Sequence, residues 1–287
     1  MKAITAVGAT PHRMSILFDI LREAGEEGED RDKLAALVGP PSLAKGEDAD
    51  EDNAFTDCLA LGQDLGVVLT DQDRVRLAEP YRASRDGFLK VAVRLMVDEV
   101  ETAVPAEGWV AGAIAWMLCQ DPLELLPWTG SGATTRILNQ LGAQQVYGMT
   151  NYSRFQQAVY WARALGFVTR MHLREEVVVP DPTAALLERL DAVLPVGGET
   201  TLATFIGNLS RLCPVFDGGS VRREVASRIG AASDERAASP ALALALHRAK
   251  QRGELEFKML SDAEIVFVPG MLGDGRVSHV SRPGAGA

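Results

Sequence analysis

A polar helix start followed by a cationic hairpin is the part of this sequence best suited to bind nucleic acid. Amide and arginine side chains can pair with adenine and guanine edges, and cations on a hairpin can meet phosphates. The residues that we predict to contact nucleic acid here are Asn151, Ser153, Arg154, Gln156, Gln157, Arg170, His172 and Arg174. The alternative interpretation is a solvated helix face that binds no ligand.

A second group of basic residues lies in the last third of the chain. Positive side chains on two predicted helices are suited to following a phosphate backbone. They are Arg222, Arg223, Arg248, Lys250 and Arg252. Lys250 and Arg252 also fit the ordinary preference for cations in the last turn of a helix. The neighbouring Glu224 and Glu254 would weaken the positive field of this group.

Aromatic residues recur at helical spacing beside the first group. Tyr152, Phe155, Tyr160 and Trp161 lie within one predicted helix. Stacking on a base is one interpretation, whereas a place in the core explains Phe155 and Trp161 more simply. We expect Tyr147 and Tyr152 to be partly exposed.

The sequence contains no constellation that indicates catalysis. The histidines, His12, His172, His247 and His279, are far apart, and no zinc-protease, nucleophile-elbow or dinucleotide-binding motif is present. The acidic run at residues 47–52 lacks the glycine and the glutamate that a calcium loop needs. The sequence therefore predicts no catalytic residues, no metal, no cofactor and no enzymatic activity.

The cysteines indicate neither a disulfide framework nor a zinc site. Cys58, Cys119 and Cys213 occur singly, without a second cysteine or a histidine cluster nearby. We interpret each as a small buried hydrophobic residue.

The elements that position the first group repeat along the chain. Residues 151–165 read as a helix that ends at Gly166, followed by two β-prone runs and Pro180, an order typical of the last third of a winged helix-turn-helix. The same order surrounds Gly66 and Gly253. These glycines lie roughly 90–100 residues apart, and such self-similarity at a fixed spacing indicates repeated modules.

The predicted fold is mainly α (α+β), with three consecutive winged helix-turn-helix modules that carry small β-hairpin wings. The predicted boundaries are module one at residues 1–83, a linker helix at 84–104, module two at 105–182, module three at 183–270 and a flexible tail at 271–287. Module three includes a hairpin of residues 255–260 and 264–268. The tail is rich in glycine, serine, arginine and proline, which disfavours a packed core.

Charge is unevenly distributed between the predicted modules. The chain has a net charge of -10, and residues 1–104 hold 12 basic against 21 acidic residues. Acids at 47–52 precede the third helix of module one, where a DNA-binding helix would meet the groove, and they repel phosphate. Contact with DNA is therefore predicted for modules two and three. No run approaches the ~20 apolar residues of a membrane helix, and we predict a cytoplasmic protein.

The repeated units resemble those of bacterial proteins built from consecutive winged helices, which are carried in operons for DNA modification, restriction or phage defence. The shared features are the units around Leu65-Gly66-Val67-Val68, Leu165-Gly166-Phe167-Val168 and Arg252-Gly253-Glu254-Leu255. In length and layout the chain is similar to the DpdG-like accessory proteins of 7-deazapurine DNA-modification clusters. The resemblance implies an accessory or scaffold component without an active site, which works beside helicases, nucleases or modifying enzymes.

Charge and repeats together predict a non-enzymatic, DNA-associated adaptor. Modules two and three would contact DNA weakly, and module one would contact protein subunits of the same system. One alternative is a dimeric transcription regulator in which two copies of module two read a palindrome. The other is a purely protein-binding structural subunit, which the negative net charge permits.

Overall fold

We describe the protein from a computed structural model. It describes residues 3–40, 51–100, 109–142, 147–231, 236–260, 263–270 and 274–284, without the side chains of residues 51–53. Residues 47–50 of the predicted acidic run lie outside this description, as does the predicted end of the linker helix at residues 101–104. The fold is mixed α+β, with many helices and small antiparallel sheets.

The first part of the chain contains helices packed beside a three-stranded sheet of order β1-β3-β2. Its elements are α1 (Pro11–Ala24), β1 (Glu29–Asp30), α2 (Arg31–Val38), α3 (Glu51–Asp64), β2 (Val68–Asp71), β3 (Arg74–Leu77) and α4 (Glu79–Arg82). Helix α1 begins where the Thr10 hydroxyl accepts the N–H of Arg13, which satisfies a donor that has no partner within the helix. The predicted helix, glycine and hairpin around Gly66 are confirmed.

The predicted linker helix is shorter and more deeply packed than the sequence indicates. Helix α5 (Phe88–Val93) continues directly into a π-helical turn (Arg94–Asp98). Its apolar residues Phe88, Val91 and Met96 are buried. This segment therefore belongs to the core of the protein.

The middle of the chain contains α6 (Val110–Leu118), β4 (Leu126–Pro127), α7 (Gly132–Leu141), α8 (Tyr152–Ala164), β5 (Val168–His172) and β6 (Glu176–Pro180). Every residue of α6 is buried, as its wholly apolar sequence requires. The helix α8 and its hairpin confirm the predicted pattern. The prolines and glycines of residues 121–132 predict a loop, but this segment contains β4, which pairs with β6 to give the sheet order β4-β6-β5.

Gly166 makes the sharp turn between α8 and its hairpin. Its φ of +85° is a conformation that residues with a Cβ rarely adopt. A Cβ at this position would also lie 2.9 Å from the backbone nitrogen of Ala185. The turn between the helix and its hairpin therefore requires glycine, at the position where the sequence predicts the end of the helix.

The last part of the chain differs most from its prediction. Its elements are α9 (Thr183–Val193), β7 (Glu199–Thr201), α10 (Leu202–Leu212), α11 (Ser220–Arg228), α12 (Pro240–Gln251), β8 (Glu256–Lys258), β9 (Val266–Phe267), β10 (Arg276–Val277) and β11 (His279–Ser281). The predicted hairpin of residues 255–260 and 264–268 is wrong, because β8 pairs with β11 whereas β9 pairs with β10.

The predicted flexible tail is also wrong within its described residues. Strand β11 lies between β7 and β8 and is the central strand of their sheet. Val277, Ser278 and Val280 are buried there, so this segment contributes to the core. Residues 271–273 and 285–287 of the predicted tail lie outside the description.

Candidate nucleic-acid interface

The start of α8 is fixed by its own side chains. The Asn151 side-chain oxygen accepts the N–H of Arg154 at 3.0 Å, which caps the helix. The Arg154 guanidinium donates to the Thr150 hydroxyl at 3.1 Å, and the Gln156 amide donates to the Tyr152 hydroxyl. Asn151 is one of the residues predicted to pair with a base. Its side-chain oxygen is instead used to cap the helix.

One face of α8 is open to solvent. Ser153, Tyr160 and Arg163 are exposed and Gln156 is partly exposed, at a spacing that places all four on one side of a helix. Ser153 and Gln156 are predicted contact residues. Arg163 is an addition that the same helical spacing could have indicated.

Gln157 is wrongly predicted to contact nucleic acid. It is 1 % exposed and faces the first residues of the chain. Its amide nitrogen donates to the carbonyl oxygens of Ala3, Ala6 and Ala9 at 3.2, 3.3 and 2.8 Å. This side chain therefore links α8 to the N-terminal segment. It supplies the hydrogen-bond donor that these buried carbonyl groups need.

Replacing Gln157 by leucine is expected to lower the free energy of unfolding by about 1–3 kcal/mol, because three buried carbonyl groups lose a donor. Urea unfolding followed by circular dichroism measures this change. Gln156→Leu on the same helix is the control and should change stability by no more than about 0.5 kcal/mol. Equal effects of the two variants would contradict the buried position of Gln157.

The hairpin β5–β6 carries the other predicted contact residues of this part of the chain. The Arg170 guanidinium lies 4.8 Å from the centre of the Trp128 ring, a cation–π contact, and 3.6 Å from the Glu176 carboxylate. His172 and Arg174 are exposed at the tip. Arg170 is thus held midway along the hairpin, opposite Val178, while His172 and Arg174 face solvent at the tip.

Trp128 connects the hairpin to α8. Its backbone N–H donates to the Glu176 carbonyl at 2.9 Å, which continues the pairing of β4 with β6. The Trp128 and Tyr160 rings are 5.5 Å apart in an edge-to-face arrangement. Local sequence patterns do not indicate this cluster, because Trp128 reaches the hairpin only through the pairing of β4 with β6.

The surface formed by α8 and this hairpin is positively charged. Residues 150–180 contain four arginines and two glutamates, a net charge of +2 in a chain whose total is -10. We call this surface, formed by Ser153, Gln156, Tyr160, Arg163, Arg170, His172 and Arg174, the α8–wing surface. Its charge is suited to attracting phosphate.

The structure divides the basic residues predicted in module three. The Arg222 side chain is 11 % exposed, donates to the Ala115 carbonyl at 3.0 Å and lies 3.7 Å from Asp217. It connects α11 to α6, so the prediction that it faces nucleic acid is wrong. Arg248 pairs with the buried Asp181 carboxylate.

Three of the contact residues predicted in module three are exposed to solvent. Arg223, Lys250 and Arg252 are exposed, and Arg223 also donates to the Gly218 carbonyl. Lys250 lies in the last turn of α12 and Arg252 caps it, where cations stabilise a helix in any case. The α8–wing surface is therefore the better candidate interface.

The third helix of module one is partly covered by the chain itself. The backbone N–H of Gly8 donates to the Asp57 carboxylate at 2.7 Å, and the Cys58 thiol lies 3.9 Å from the Gly8 carbonyl oxygen. A Cβ at position 8 would be 2.7 Å from Ala54 Cα, so only glycine fits this close approach. Residues 3–9 thus pack against both α3 and α8.

Titratable groups in the described residues form no evident reactive centre. Burial raises the pKa of the Cys58 thiol to about 12 and that of Cys213 further, which keeps both protonated at neutral pH. Both are buried as predicted, whereas Cys119 is only partly buried. Among the described residues, no group of histidine, cysteine and acidic side chains could hold a metal ion.

Tyr147 is buried, contrary to the prediction that it is partly exposed. Its ring packs 5.7 Å from that of Trp109, and burial raises its pKa to about 12. Tyr152 is partly exposed, as predicted.

Among the described helices, none is long and apolar enough to span a membrane.

Comparison with known proteins identifies a family. A family model described as DpdG-like matches residues 1–263, which is most of the 287 residues. The chain therefore belongs to the DpdG-like family, and the predicted resemblance is confirmed. This membership supports an association with a DNA-modification system. No curated protein and no solved structure matches the chain.

Proposed function

We propose that this member of the DpdG-like family is a non-enzymatic, DNA-associated adaptor of a bacterial DNA-modification or phage-defence system. The observation that carries the proposal is the α8–wing surface, where polar and cationic side chains share the exposed face of a helix and its hairpin. Helix α8 would lie along a DNA groove, and the hairpin would contact phosphates. In this proposal the protein acts in the cytoplasm.

The proposal includes three winged-helix modules with different roles. In modules one and two, a helix, a glycine and a hairpin follow one another, and each hairpin belongs to a three-stranded sheet. Module two would make the main contact with DNA. Module three would add weak phosphate contacts through Arg223, Lys250 and Arg252, which are exposed.

Module one would contact protein subunits of the same system. Its excess of acidic residues disfavours DNA, and residues 3–9 already cover part of α3. The hairpin of module one carries Asp71 and Asp73 at its exposed tip, where the hairpin of module two carries His172 and Arg174. This difference between two otherwise similar units supports separate roles.

Changing Arg163, Arg170 and Arg174 together to alanine is expected to weaken binding to random-sequence duplex DNA by more than ten-fold at low salt. If each arginine meets one phosphate, the slope of log affinity against log salt should fall by about 2–3. Fluorescence anisotropy across a salt series, with duplex and single strands, measures both quantities.

The matched control removes the same charge from module one and the adjoining linker segment. Lys33, Lys90 and Arg94 are at least half exposed, each beside an acidic side chain. Their combined change to alanine should leave DNA affinity within about two-fold, because contact is local to the α8–wing surface. Equal losses for both triple variants would contradict the proposed interface. A wild-type protein that binds no DNA at low salt would favour the purely protein-binding subunit.

A further inference from the structure

An exposed tyrosine occupies the middle of the α8–wing surface. Tyr160 is 39 % exposed and follows Ser153 and Gln156 on the solvent face of α8. A helix that only reads the edges of paired bases needs hydrogen-bonding side chains at such positions. An aromatic ring instead offers a flat apolar face, on which an unpaired base can stack.

The Tyr160 ring is held in place before any ligand arrives. Trp128, which is only 5 % exposed, packs against it at 5.5 Å, and Arg170 covers Trp128 at 4.8 Å. A ring fixed in this way loses little conformational freedom on binding, which favours affinity. Arg170 also places a cation on Trp128, the neighbour of Tyr160, where it can supply a counter-charge to the phosphate of a stacked nucleotide.

The tip of the adjacent hairpin carries an exposed apolar residue. Leu173 is 55 % exposed between His172 and Arg174, both of which are also exposed. Leucine side chains act as wedges between base steps in proteins that unstack DNA. The flanking polar groups would hold such a wedge close to the phosphates.

We propose that the α8–wing surface prefers DNA with unpaired bases to continuous duplex. Tyr160 stacks on an unpaired base, and Leu173 packs on the last base pair beside it. The proposal rests on the proposed DNA contact and specifies the form of DNA that this contact selects. The positive charge of residues 150–180 provides the general attraction, and the two apolar groups provide the preference.

The experiment compares three DNA probes with the full chain. They are a duplex, the same duplex with a central run of unpaired thymines, and the corresponding single strand. We expect the duplex with unpaired thymines to bind about ten-fold more tightly than the continuous duplex, since one base stacked on an aromatic ring contributes a factor of this order. Anisotropy at a fixed salt concentration measures the three dissociation constants.

Variants assign the preference to the two apolar groups. Tyr160→Ala should remove most of the ten-fold preference for unpaired bases, whereas Tyr160→Phe should keep this preference because the ring remains. Leu173→Ser should reduce the preference for the duplex with unpaired thymines. Leu69→Ser is the matched control, since Leu69 is 44 % exposed on the hairpin of module one. This variant should leave the affinities for the three probes unchanged.

Equal affinity for the continuous and the interrupted duplex would overturn this inference and leave the proposed function standing. The same holds if Tyr160→Ala keeps the full preference. If no probe binds at low salt, the proposed DNA contact itself is wrong, and the inference fails with it.

Discussion

Asp98→Ala is expected to lower the free energy of unfolding by about 3–5 kcal/mol, because it leaves the buried Arg189 guanidinium without its counter-charge. One Arg189 nitrogen donates to both Asp98 carboxylate oxygens, at 2.8 and 3.1 Å. Another donates to the Ala185 carbonyl at 2.7 Å. The Arg189 side chain is only 7 % exposed, so water replaces the lost carboxylate poorly.

Urea unfolding of the full chain measures this effect, and a matched control exists. Asp191, on the same helix as Arg189, pairs with Arg282 but is 89 % exposed. Asp191→Ala should therefore cost no more than about 1 kcal/mol. The double variant Asp98→Ala with Arg189→Met should recover part of the loss, because no unpaired charge then remains. If Asp98→Ala lowered the free energy of unfolding no more than Asp191→Ala does, the buried ion pair would be contradicted.

This ion pair connects parts of the chain that the sequence assigns to different modules. Asp98 ends the π-helical turn of the predicted linker, and Arg189 lies on α9, within the predicted bounds of module three. The Arg189 guanidinium also lies 5.6 Å from the centre of the Phe167 ring, next to the hairpin of module two. These three parts of the chain therefore share one packed interior.

Local patterns were sufficient to predict the units that carry the candidate interface. The helical period of residues 152–164, the turn at Gly166 and the alternation in the hairpin are set by neighbouring residues. The exposure of Ser153 follows from the same period. Even within this helix, however, the sequence did not indicate that Gln157 faces inward, because its partners are Ala3, Ala6 and Ala9, some 150 residues away.

Long-range pairing explains the predictions that were wrong. Strand β4 forms only against β6, about 50 residues later, and its own sequence contains a proline. Arg222 and Arg223 are adjacent in a basic helix, yet only contact with Ala115 and Asp217 decides that Arg222 is mostly buried. A single sequence shows charge and period, but it does not show which neighbour will cover a side chain.

Strand β11 is the strongest case of such long-range pairing. Its composition indicated a flexible tail, and the match to the DpdG-like family ends at residue 263, before this strand begins. Nevertheless Val280 lies between Thr200 of β7 and Phe257 of β8 and is fully buried. Removal of β11 would leave both neighbouring strands without their shared partner.

Val280→Asp is accordingly expected to lower the free energy of unfolding by more than about 4 kcal/mol, since it places an unpaired charge in the centre of a sheet. Urea unfolding measures the loss, and hydrogen exchange locates it, because amides of β7 and β8 should lose protection before those of α8. Val196→Asp introduces the same charge at a position that is 56 % exposed and should change stability by no more than about 0.5 kcal/mol. If the two variants unfold alike, β11 does not hold this sheet together, and the end of the chain is as loosely attached as its composition indicates.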